Sequence, residues 1–197
     1  MIVLSGQVPL AEGARRLVFA HPSAPTRLIK VVKPAARPSW RVRLSSRYGR
    51  HKSHGIELAE YLVLRSRIDN DPPIVAPFYG LVETDLGLGL EVERMVDRNG
   101  GLAPNLRDQV VEQGPAPQLV DEMDAMIHLL ARHHIVVSDL KPLNVVVAWW
   151  KDRDRLVIID GLGEKNTLSL RPYSRTINRW NLARSGRRIR TWLREGQ

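Results

Sequence analysis

Two short apolar, β-branched runs, residues 144–149 and 156–159, stand either side of Lys151-Asp152-Arg153-Asp154-Arg155, and they constrain the chain more than any other stretch. Runs of that length bounded by polar turn residues predict a hairpin of two buried strands. Polar side chains collect at its open end. Asp139, Lys141 and Asn144 lie on the way in, and Asp160 follows the way out. A hairpin returns Asn144 and Asp160 to one edge, where two oxygen ligands suit a hard cation such as Mg²⁺. Asp139 is then placed to act as a base toward a hydroxyl, and Lys141 to neutralise a phosphate in transfer. A plainer reading of the same residues is a helix end, a Lys-Pro turn and a core hairpin whose aspartates cap loops.

Asp139-Leu140-Lys141-Pro142-Leu143-Asn144 resembles the catalytic loop of the eukaryotic-type protein kinases. Asp160-Gly161-Leu162-Gly163 resembles their metal-binding Asp-Phe-Gly, with the glycine displaced by one place. Order, spacing and the intervening hairpin agree. The resemblance implies an α+β, protein-kinase-like fold: an N-lobe with an antiparallel sheet and one helix, then a reduced, mainly helical C-lobe. It also implies ATP and Mg²⁺ as cofactors, Asp139 and Lys141 as catalytic residues, and Asn144 and Asp160 on the metal.

The N-terminal half extends the match. Residues 1–4 and 16–20 read as strands, and Thr26 to Val32 as a third after the turn at 21–25. In a kinase the third strand carries the lysine that contacts the α- and β-phosphates, which makes Lys30 the candidate; the alternative is a surface lysine on an edge strand. The Gly-rich loop is reduced here to Gly13, with Ala11 at the first glycine position and Arg16 at the third, where close backbone approach needs glycine. Either Arg15 or Arg16 can meet phosphate through its guanidinium instead. Ile56, Ala59, Leu62 and Val63 give a helix over 54–67. It carries Glu57, the match to the glutamate that braces the strand lysine, with Glu60 a competitor one turn on. Residues 33–53 read as a basic loop, 74–84 and 89–96 as strands, and 94–97 as the hinge.

Leu4-Ser5-Gly6-Gln7-Val8-Pro9-Leu10, Phe19-Ala20-His21-Pro22, Ile29-Lys30-Val31-Val32 and Val82-Glu83-Thr84-Asp85 resemble the bacterial PhoP-regulatory-network proteins of the YrbL type, small kinase-like proteins of about this size. That likeness runs loosely over residues 2 to 195. It implies fold and bacterial context rather than mechanism.

Further on, Asn105 to Glu112 predicts a short helix capped by Asn105 or opened by Pro104, and Gln118 to His133 a longer one. Adjacent His133 and His134 point apart on a helix and make no metal site. Val137-Ser138 replaces the kinase His-Arg, which argues against a switch read by activation-loop phosphorylation. After Gly163, residues 164–197 are fewer than a kinase's activation segment and peptide-binding helices occupy. The periodicity predicts helices over 175–185 and 187–195, with Leu182, Ile189 and Leu193 on one stripe that docks on the rest of the C-lobe.

Composition bounds the remaining possibilities. The 197 residues include no cysteine, so there is no disulfide framework or thiolate zinc site. No run of about 18 apolar residues predicts a membrane span, and no signal-peptide pattern opens the chain, so a cytoplasmic location is expected. The formal net charge is +9, and residues 165–197 hold nine basic groups against one acidic. That basic tail predicts an anionic partner, whether acidic protein, lipid surface or nucleic acid. The organisation expected is 1–96 as N-lobe, 97–165 as C-lobe core and 166–197 as basic helical tail. Three functions are consistent with it: a phosphotransferase that binds nucleotide and an unidentified acceptor; a pseudokinase acting as a regulatory binding module; and an anion-binding adaptor using the tail.

Overall fold

Two short, mainly apolar N-terminal segments, Arg16–Ala20 and Arg27–Val32, build the first strands of a sheet. In the computed structural model, which describes residues 1–33, 49–165 and 170–195, strands β1 (Ala11–Glu12), β2 (Arg16–Ala20), β3 (Arg27–Val32), β4 (Phe78–Thr84) and β5 (Gly87–Glu93) form one antiparallel sheet in the order β1-β2-β3-β5-β4. The chain divides into two compact units, residues 1–58 with 77–94 and residues 59–76 with 95–197. The boundary falls inside helix α1 (Lys52–Arg67), between Leu58 and Ala59.

In the first unit the period of two sends Phe19, Ile29 and Val31 to one face, where they pack with Leu4. The other face carries Val18, Leu28, Leu90 and Val92. Residues 1–4 do not form the strand their sequence suggests. Ile2 makes a single bridge to Thr84, and the Leu4 and Ser5 amides donate to the Asp85 carboxylate at 2.7 and 3.0 Å. The side chain of Asp85 thereby takes donors that a sheet ladder would have used. The hydrogen bond from the Ser5 side chain, and after it the Leu4 amide, hold the Asp85 carboxyl below its usual range.

Strand β4 starts only at Phe78, because Pro77 has no N–H to give a ladder. Ile74 to Ala76 instead belong to the second unit, where Val75 bridges Ile158. There β6 (Val145–Trp150) and β7 (Arg153–Ile158) form the expected hairpin in the register Val145↔Ile158 to Trp150↔Arg153. Its turn is only Lys151-Asp152, both at positive φ (45° and 67°), the two-residue geometry whose twist suits a hairpin. Val146, Ala148 and Val157 pack with Ala76, Met95 and Ala103.

Helix α2 (Leu106–Gln113) is capped by Asn105, whose side chain accepts the Asp108 N–H at 2.9 Å. Helix α3 (Pro117–Arg132) opens on proline and buries Leu119, Met123, Met126 and Leu130 at helical spacing.

The C-terminal helix corrects the sequence reading. Residues 175–195 are one helix, α4 (Arg175–Glu195), with no break at Gly186. A Cβ at Gly186 would lie 2.1 Å from Ile127 Cδ1 of α3. The glycine is thus a close-packing contact rather than a helix stop. Leu182, Ile189 and Leu193 are buried, and Arg190 pairs with Asp124 of α3. No helix among the described residues is long and apolar enough to cross a membrane.

Candidate active site

The two loops that flank the β6–β7 hairpin are fastened to each other through their backbones. Ser138 N–H donates to Gly161 O and Gly163 N–H to Val136 O, at 2.9 and 2.8 Å, while Val137 bridges both Leu162 and Gly163. Ile159 N–H donates to Asn144 O at 2.9 Å, which brings Asp160, the next residue, to the end of the hairpin that holds Asn144. Gly161, at φ +88°, fits this junction because a Cβ would lie 2.8 Å from Asp139 O. Val137 stands where a kinase has histidine, and here it is a buried bridging residue.

The side chains of this junction converge on one carboxylate oxygen. Lys141 Nζ lies 2.8 Å from Asp139 Oδ2, and Asn144 Nδ2 donates to the same oxygen at 3.1 Å and to Asp139 O at 2.8 Å. Neither Asp139 Oδ1 nor Asn144 Oδ1 takes part in these bonds. Asp160 Oδ1 accepts the Gly161 N–H, with Lys165 Nζ 3.9 Å away. Among the described residues no three His, Cys, Asp or Glu side chains cluster as a metal cage. His134, at φ 52°, ends α3 and contacts Arg171 O through Nε2 at 2.8 Å.

The chain entering this junction is held by α1 and α4. Glu60 Oε1 accepts Val136 N–H at 2.7 Å, and Asn178 Nδ2 donates to Ile135 O at 3.0 Å. Burial raises the Glu60 carboxyl above its ordinary value, partly offset by that amide and by Arg67 and His134. Glu60 thus serves the second unit, while Glu57 belongs to the first.

In the first unit Lys30 is buried, at 6% exposure, on the sheet face that also carries Val18 and Leu90, its register partners. Arg16 lies opposite Val32 on that face, diagonal to Lys30. Its guanidinium grips Glu57 with two bonds, Nη1 to Oε2 at 2.8 Å and Nη2 to Oε1 at 2.6 Å, and Glu57 is only 1% exposed. Gly13 N–H donates to Arg16 O at 2.9 Å and closes the β1–β2 turn. Sequence reasoning offered Arg16 to phosphate, but did not find its buried carboxylate partner 41 positions away.

Sequence reasoning also missed a cavity. About 420 Å³ of space beside the Asp139 loop is lined by Arg107 of α2 and by Ser185, Arg188 and Trp192 of α4. The 3- and 4-residue spacing of the α4 trio was the available signal.

Fold and junction together define a protein-kinase-like chain. The structure resembles the kinase domain of Mycobacterium tuberculosis PknI (C20A mutant) with a TM-score of 0.50 and 16% identity, covering 81% of this chain and 60% of that one. The C20A_R136A double mutant of the same domain matches at a TM-score of 0.49 and 20% identity, over 78% of this chain and 56% of that one. The chain therefore spans about three fifths of the kinase domain it matches. Residues 2–193 match the PhoP regulatory network protein YrbL family, and the chain belongs to it. Curated relatives in Escherichia coli (strain K12) and Shigella flexneri, each called "Uncharacterized protein YrbL", are 28% identical over 180 residues, covering 89% of this chain and 80% of each relative.

Proposed function

We propose that this chain is an ATP- and Mg²⁺-dependent phosphotransferase acting on a hydroxyl acceptor. The observation that carries this reading is the Asp139 carboxylate, whose Oδ2 is held by both Lys141 and Asn144, bonds in which Oδ1 takes no part. Held in one orientation, Asp139 positions the acceptor hydroxyl and takes its proton through Oδ1. Lys141 offsets negative charge that develops beside it. Asn144 Oδ1 and the Asp160 carboxylate are hard oxygen donors, and Mg²⁺ commonly takes one or two protein oxygens and completes its shell with water and phosphate. Two protein ligands are therefore a sufficient donor set. In the first unit Lys30 is assigned to the phosphates, Glu57 to bracing it and Gly13 to the loop. Bound Mg²⁺-ATP would supply the phosphoryl group and part of the neutralising charge.

A specific observation favours a second reading, a pseudokinase that acts by binding. The Gly13 N–H and the Arg16 guanidinium, the loop's candidate phosphate contacts, are both engaged within the protein.

Thermal unfolding with ATP and Mg²⁺, on the wild type and on Asp160→Ala, tests the first reading. At ligand about 100-fold above Kd, stability rises by about 2.7 kcal/mol. A metal-dependent shift that the variant loses supports the nucleotide site, and ATP turnover then separates enzyme from pseudokinase. No shift in either protein overturns the phosphotransferase.

A further inference from the structure

The cavity beside Asp139 has an uneven charge. Lys141 is paired with Asp139 at 2.8 Å, so these two largely cancel. Arg107 and Arg188 also line the cavity, and neither has an ion-pair or hydrogen-bond partner among the described residues. They come from different helices, α2 and α4, and meet at one space. Two guanidinium groups set around a cavity suit an oxyanion, because each offers parallel N–H donors matched to phosphate oxygens. The rest of the lining is not an ion cage. Trp192 is half-buried and aromatic, while Leu140 and Ile189 are buried and apolar. Ser185 adds a hydroxyl. A volume of about 420 Å³ is within the range of small-molecule sites.

The packing of α4 explains how the cavity arises. Leu182, Gly186, Ile189 and Leu193 form the stripe that docks the helix, with Gly186 against Ile127. The neighbouring stripe, Ser185-Arg188-Trp192, is thereby turned onto the Asp139 loop. Of the arginines in the basic tail, Arg188 lines this cavity.

We propose that this cavity is the acceptor site, and that it takes a phosphorylated polyol or sugar, with its phosphate on Arg107 and Arg188 and its free hydroxyl at Asp139. This rests on the phosphotransferase reading and adds the acceptor's chemical class. In the transfer, the acceptor oxygen forms a bond to the γ-phosphorus while the bond from that phosphorus to the β–γ bridging oxygen breaks. Asp139 Oδ1 takes the hydroxyl proton, and the nucleoside diphosphate leaves.

The same phosphate chemistry can come from a soluble sugar phosphate or from a phosphoinositol lipid headgroup, and the test has an arm for each. Binding is measured calorimetrically, without nucleotide, for glucose 6-phosphate against glucose, and by sedimentation with phosphatidylcholine vesicles with and without phosphatidylinositol. The proteins are the wild type, Arg107→Gln, Arg188→Gln and, as a control on the same helix outside the cavity, Arg179→Gln. The expected result is binding of one phosphate-bearing probe over its neutral counterpart, weakened about tenfold by Arg107→Gln and by Arg188→Gln. Arg179→Gln should bind as the wild type does. Glucose 6-phosphate binding would identify a soluble acceptor, and phosphatidylinositol binding a headgroup. Three results overturn the proposal: no binding of either probe, equal binding of glucose, or equal weakening by Arg179→Gln. Because nucleotide is absent, these outcomes are independent of the ATP shift. Arg188-dependent binding in a protein that shows no ATP shift would discard the transfer step and leave an anion-binding cavity.

Discussion

The junction at 136–163 and the β1–β2 turn at 11–18 both follow kinase-like patterns, yet their polar side chains are used differently. The junction is fastened by backbone bonds from Ser138, Ile159 and Gly163, and these leave the Asp139 and Asn144 side chains to converge on each other. In the β1–β2 region a backbone bond from Gly13 to Arg16 closes the turn as well, but the Arg16 side chain is committed to Glu57. A site whose scaffold is backbone keeps its polar groups for chemistry. A turn whose arginine anchors a helix has fewer groups to offer a ligand.

The largest effect expected from breaking this contrast is at Arg16. Arg16→Met leaves Glu57 buried without its bidentate partner and should cost about 3 kcal/mol or more, as removal of one member of a buried pair does. Urea unfolding measures it. Adding Glu57→Gln to Arg16→Met should recover part of the loss, and simple additivity would show that the pair is not a coupled anchor.

Gly161→Ala strikes the junction instead. At φ +88° and with Asp139 O only 2.8 Å from the new Cβ, it should cost about 2 kcal/mol, within the usual range for strained backbone. Under the phosphotransferase reading it should also abolish the thermal shift expected with ATP and Mg²⁺. A variant with wild-type stability would show that the two loops are not closely fastened.

Glu60→Gln has a smaller, pH-dependent signature. Burial raises the Glu60 carboxyl, so the folded chain holds that proton more tightly than the unfolded chain does. Its contribution to stability is therefore most favourable below the unfolded pKa and declines as pH rises through the folded one. Glutamine keeps an acceptor for the Val136 N–H but does not titrate. Urea midpoints followed upward from about pH 4 should show the decline in the wild type and a flatter profile in the variant.

Lys141→Ala should change stability least, by under about 0.5 kcal/mol, because its pair with Asp139 is nearly half exposed on both sides. Under the phosphotransferase reading its effect on kcat is far larger, about a hundredfold, as for other groups that meet charge in a transition state. A loss of stability matching the loss of turnover would make Lys141 a structural residue.

Much of the second unit was legible. The β6–β7 hairpin followed from two β-branched runs and a polar turn, and α2 and α3 from Asn105 as cap and the 3-and-4 spacing of Leu119, Met123, Met126 and Leu130. Two errors had local causes. Residues 1–4 have the composition of a strand, but the Asp85 carboxylate takes the Leu4 and Ser5 amides. Gly186 reads as a helix stop by propensity, and only the proximity of Ile127 shows why a glycine stands mid-helix.

By itself the sequence determined the β6–β7 hairpin, the helices α2 and α3, and that Asn144 and Asp160 return to one end of the hairpin. Periodicity and turn chemistry act over a few residues, so those elements were legible within their own segments. Only the tertiary structure decided that Arg16 serves Glu57, that Glu60 holds Val136, and that Arg107 and Arg188 face the same space as Asp139. Each of those outcomes depends on how far apart two distant segments come to rest, and packing of the whole unit sets that distance.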